Sequence, residues 1–140
     1  MGFILLQLHG LWRWVLLIVA LVTTVKALLG WLSKQSWDKA DNQLGMAYTM
    51  ILDLQFLLGL LLWLVGPINL GLLAQGAMSN AYPRFILVEH PLMILIALVL
   101  AHVGRALTRK GTEPPKQHRT AFIFYGLSLL FVALVFFAKP

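Results

Sequence analysis

Residues 4–31 read ILLQLHGLWRWVLLIVALVTTVKALLGW, an apolar run broken by only three ionisable side chains, His9, Arg13 and Lys26. A helix rising 1.5 Å per residue needs roughly 20 such residues to cross a bilayer's hydrocarbon core. This run suffices. Similar stretches follow at 45–66, 83–107 and 120–138. Hydrocarbon offers no water to backbone N–H and C=O groups, so each stretch must cross as a helix that closes its own hydrogen bonds. The expected fold is all-α, a four-transmembrane-helix bundle that makes residues 1–140 a single integral membrane domain.

Composition agrees. In a chain of 140 residues, 60% are hydrophobic and 11% charged, more apolar surface than a soluble domain of this size can bury. The absence of cysteine excludes disulfide frameworks, Cys-ligated zinc, iron–sulfur clusters and covalently attached c-type haem. The net charge of +6 does not point to nucleic acid, because the basic residues sit between apolar runs. GTEPPK at 111–116 lacks the glycine spacing of a phosphate-binding loop, and no Ser/His/Asp set or carboxylate pair marks a hydrolase. No internal repeat supports an inverted-repeat transporter.

The first run lacks a basic leader and a small-residue cleavage site, so it is expected to be retained. Lys and Arg collect on cytoplasmic loops. Eight of the 11 lie around the first and third connections: Lys26, Lys34, Lys39, Arg105, Arg109, Lys110, Lys116 and Arg119. Arg13, Arg84 and Lys139 lie on the other side, so both termini are expected on the outer, periplasmic face. The segment KGTEPPKQHR at 110–119 reads as a stiff basic loop, with His118 in it, and Pro67–Arg84 as an outer connection lying on the membrane surface.

Ionisable or strongly polar groups at membrane depth are costly and therefore informative. They are His9, Arg13, Asp53, Gln55, Glu89, His90 and His102. By the helical rise, His9 and His90 each lie on the order of 8 Å below the outer surface. His9 shares a face with Arg13, Leu16, Ala20, Thr23 and Ala27, and His90 with Ala97, Ala101 and Gly104. Two facing imidazoles beside small residues suit axial ligation of haem iron, with Arg13 and Arg84 at the rim to pair with propionates. The same histidines could instead hydrogen-bond across helices and order the bundle. His102 falls about 18 Å further along its helix than His90, as an interfacial residue beside Arg105 or a polar contact for a quinone. Asp53 requires a partner, for which Lys26 is a candidate. Gln55 shares a face with Tyr48, Gly59 and Gly66. Pro91 removes the donor for the Leu87 carbonyl and bends the helix at Glu89 and His90, where Glu89 could bridge to Arg13 or Gln55.

The runs LHGLWRW (8–14), DLQFLLGLLLW (53–63), RFILVEHPLM (84–93), AHVGRA (101–106) and HRTAFIFYGLSLL (118–130) together resemble the small four-helix bacterial membrane proteins often labelled "cytochrome b-like". The family pattern of an H-x3-RW start, an L-Q-x-x-x-G element and an E-H pair corresponds to His9, Arg13 and Trp14, to Gln55 and Gly59, and to Glu89 and His90. The resemblance implies a multi-pass protein of the bacterial inner membrane that binds haem b and passes electrons beside a quinone-linked respiratory or photosynthetic complex. Its implied partners are the lipid bilayer and other membrane subunits. A quinone is a possible second ligand, with Asp53, Gln55, Glu89 and His102 as its contacts. The alternative is a cofactor-free accessory subunit of a larger membrane complex.

Overall fold

The structure, a computed structural model, describes residues 2–137, and Lys139 lies outside them. Among the described residues there is no strand, and four helices are long and apolar enough to cross a membrane. They are α1 (Gly2–Leu32), α2 (Lys39–Val65), α3 (Ala81–Lys110) and α4 (Pro114–Phe137). α2 and α4 begin before the apolar runs that announced them and α3 runs past its own, because those ends lie in polar flanks.

Local chemistry sets those ends. Lys34 adopts a left-handed conformation, φ 54°, and the Gln35 amide returns to the Gly30 carbonyl at 2.9 Å, closing α1 as a Schellman turn does. At the start of α2, the Asp38 amide donates to the Asp41 carboxylate at 2.8 Å, satisfying a donor that the helix leaves open. This pulls the start back from residue 45 to Lys39. Gly66 and Pro67 end α2 where a proline cannot continue it.

A departure as large as that at α2 occurs at α4, which begins at Pro114 instead of residue 120. Prolines fit a helix's first turn, where the missing N–H would have no acceptor. Gln117 then ties the turn to α3, its Nε2 donating to the carbonyls of Thr108 (2.8 Å) and Gly111 (3.0 Å). The basic loop shrinks to 111–113. His118 is consequently not a loop residue: it is buried and hydrogen-bonded through Nε2 to the Ser36 carbonyl at 3.0 Å.

The extensively packed pairs are α1–α2, α2–α3, α3–α4 and α4–α1, so α1 faces α3 and α2 faces α4 across the bundle axis. Helix direction alternates, which puts the connections 33–38 and 111–113 at one end and the long connection after α2 at the other. That connection consists of short 3-10 turns, Leu70–Gln75 and Ala77–Ser79. The small stripes face inward as their spacing requires, with Ala20, Ala27, Ala97 and Ala101 buried. A Cβ on Gly104 would come within 2.6 Å of the Phe124 Cβ, so α3 and α4 touch there almost backbone to backbone. In the core, Ser128 donates to the Ala97 carbonyl at 2.7 Å, which leaves Tyr48 as the donor in their 2.6 Å contact. Leucines such as Leu11, Leu57 and Leu130 remain on the outer surface, where lipid replaces water.

Candidate functional site

The site is built where α1 and α3 face one another near the end that carries the termini. Its local frame is an irregularity in α3. Residues Phe85–Glu89 form one π turn, with the His90 amide bonded to the Phe85 carbonyl five residues back. Such turns occur mostly as single insertions in otherwise regular helices. Pro91 follows, and the Leu87 carbonyl accepts the Trp63 indole N–H of α2 at 2.9 Å. The carbonyl that a proline deprives of its donor is thus satisfied by a neighbouring helix.

On this frame the structure brings His9 and His90 together, with ring centroids 6.1 Å apart and planes inclined by 34°. Phe85 packs edge-on against His90, its centroid also 6.1 Å away. The α1 side is positioned by α2: Gln55 Nε2 donates to the His9 carbonyl at 2.9 Å, and Trp12 Nε1 donates to the Ile51 carbonyl at 3.0 Å. Gly59 leaves space for the His9 ring, since a Cβ there would stand 3.3 Å from Cε1. Gln55 and Gly59 therefore serve one purpose, seating His9 close to α2.

The rim residues are engaged differently from expectation. Glu89 pairs with Arg84 at 3.0 Å and not with Arg13 or Gln55, because the π turn sets residues 84 and 89 close along one helix edge. Arg13 lies against aromatic rings. Its guanidinium lies 5.3 Å from the Trp14 ring and 4.7 Å from the Phe136 ring, and its buried Nε has no hydrogen-bond partner. Arg84 meets Glu89 through Nε, whereas Arg13 has no carboxylate partner among the described residues.

Asp53 and His102 belong to a separate place, the seam between α2 and α3. They pair with each other, His102 Nε2 to Asp53 Oδ1 at 2.7 Å, with side chains 46% and 43% exposed. Lys26 is not the partner of Asp53: it binds the buried carboxylate of Asp41 near the opposite end. Asp41 was reached by α2's earlier start, a choice invisible in the apolar runs. One turn from the Asp53 pair, Arg105 Nη1 donates to Thr49 Oγ1 at 3.4 Å.

Sequence reading missed Trp63, Phe136 and Phe85 at this site. Only Trp63 had a usable signal, since the carbonyl released by Pro91 requires a donor at the same depth. No cluster of three or more His, Cys, Asp or Glu is present among the described residues, so a metal held here has the two imidazoles as its protein ligands. Two imidazoles that each bonded one metal ion at about 2 Å would have ring centroids within roughly 6 Å of each other. The observed spacing fits that requirement. Comparison with protein-family models, curated proteins and solved structures finds no match to the chain.

Proposed function

We propose that the chain is a haem b protein of the membrane that passes electrons, with His9 and His90 as the residues that would hold the haem iron. The observation that carries this reading is the 6.1 Å separation of the two imidazoles, reached from two helices facing across the bundle axis. Haem b supplies reversible one-electron transfer when bound. The chain's own residues do the rest. Gln55 and Gly59 orient His9, the π turn and Pro91 direct His90 inward, and Phe85 closes one side with an apolar ring. Arg13, whose buried Nε has no hydrogen-bond partner and which follows His9 by one helical turn, is the residue to receive a propionate, and Arg84, which meets Glu89 through Nε, can join it. The excess of basic residues around the first and third connections supports an orientation with both termini in the periplasm of a bacterial inner membrane. A quinone-linked respiratory or photosynthetic complex is the setting in which such a small electron carrier serves.

A second reading, a cofactor-free accessory subunit, draws on the Gln55–His9 and Trp63–Leu87 bonds, which knit helices without any ligand. Purification after expression with ample haem separates the two. The haem reading expects a reduced α band that is lost in His9→Ala and in His90→Ala and kept in His102→Ala. If one remaining ligand still holds the haem, the sign is a high-spin spectrum in place of a low-spin one. A colourless protein with both histidines intact overturns it and leaves the accessory reading.

A further inference from the structure

The paired Asp53 and His102 face outward from the seam of α2 and α3, each with more than two-fifths of its side chain exposed. Ionisable residues within a membrane span almost always face a bundle interior or a water-filled cavity. This pair faces the surface that its own neighbours, Met50 (60% exposed) and Leu57 (54%), assign to lipid. Among the described residues, neither Asp53 Oδ2 nor His102 Nδ1 makes another hydrogen bond.

We propose that a second copy of this chain covers the seam, forming a parallel twofold dimer in which Asp53 and His102 of each copy meet their counterparts. The chemistry is self-complementary. With both ring nitrogens of His102 protonated, as in an ion pair with Asp53, Nδ1–H remains to donate and Oδ2 to accept, so a copy turned by 180° sets the acceptor of each pair against the donor of the other. Both copies insert in the same orientation, which matches the depth of the pairs without further adjustment. A twofold axis along the membrane normal reverses every in-plane vector. The two Asp53 to His102 dipoles, which run from α2 to α3 across the membrane plane, therefore lie antiparallel, the attractive arrangement. An isologous contact of this kind closes as a dimer and does not propagate.

The flanks agree with a helical contact. Met50, Asp53 and Leu57 on α2 recur at intervals of three and four, as do Leu95, Val99 and His102 on α3, and the four apolar members are all exposed. That spacing keeps one face of each helix aligned with a partner helix. The dimer does not depend on what His9 and His90 bind.

Because the chain has no cysteine, single cysteines report proximity directly. The full chain is reconstituted at low density in phosphatidylcholine vesicles. Leu57→Cys chains mixed with Val99→Cys chains are expected to cross-link on oxidation, whereas Val22→Cys and Leu130→Cys, exposed on α1 and α4, are expected not to. Energy transfer between labelled copies should show dimerisation weakened about tenfold in Asp53→Asn/His102→Gln, with helix content by circular dichroism unchanged. Leu57→Trp, which adds bulk without touching the pair, should weaken it as well. Cross-linking at the seam no greater than at Val22 and Leu130 overturns the proposal. So does a folded Asp53→Asn/His102→Gln protein that dimerises as tightly as the parent.

Discussion

Trp63 illustrates how one side chain repairs a defect that another creates. Pro91 cannot donate, and an unsatisfied carbonyl in hydrocarbon is costly; the Trp63 indole supplies the missing donor at 2.9 Å. Trp63→Phe keeps the ring and deletes the donor. It is expected to destabilise the bundle by about 1 kcal/mol, within the range of interhelical hydrogen bonds in membranes, as read by unfolding in mixed micelles. Glycines test packing at the same scale. The Phe124 Cβ that faces Gly104 is attached to the backbone and cannot swing aside from a new Cβ 2.6 Å away. Gly104→Ala should therefore cost about 1–3 kcal/mol through overpacking. At Gly59 the neighbour is the edge of the His9 ring, at 3.3 Å, which can yield by a small rotation. Gly59→Ala should cost less than Gly104→Ala in the same measurement, and equal costs would contradict this account of the two contacts.

Among the elements, α3 carries the most information. Its π turn inserts a residue before His90, which rotates the ring relative to the helix below. Pro91 favours that irregularity because a regular helix would lack one bond there in any case. Pro91→Ala returns the N–H, and the turn is expected to relax toward α spacing, giving the Leu87 carbonyl a donor within its own helix. Trp63 would then be redundant. A double-mutant cycle between Pro91→Ala and Trp63→Phe should show coupling, with the Trp63→Phe cost reduced in the Pro91→Ala background. Strict additivity would mean that the two residues act independently. The same relaxation should turn His90 away from His9, so haem content should fall in Pro91→Ala while helix content stays constant.

For the whole molecule, the organising feature is two polar contacts crossing the bundle on different diagonals. Tyr48 reaches Ser128 between α2 and α4, and His9 meets His90 between α1 and α3. The first lies in the closed core and the second near the end with the termini. The distribution of basic residues predicts that this end is periplasmic. Periplasmic reporter fusions should be active after residue 75 in the long connection and inactive after Lys110. The reverse pattern would invert the orientation and put the histidine pair near the cytoplasm.

The number of spans was legible from residues 4–31 outward, because bilayer thickness imposes a length and the need to close backbone bonds imposes a helix. The meeting of His9 and His90 was legible too, since depth follows from rise per residue, and the inward stripes of Ala20, Ala27, Ala97 and Ala101 followed from helical spacing. Partner choice was not. A helix that is apolar almost all round carries little pattern to set its rotation, so Asp53 could be matched with Lys26 on paper while tertiary packing turned it to His102. The π turn brought Glu89 to Arg84, and the early start of α4 buried His118. These outcomes depend on which helices adjoin and how each is turned about its axis. Those quantities arise from close packing between distant segments, and no single segment contains them.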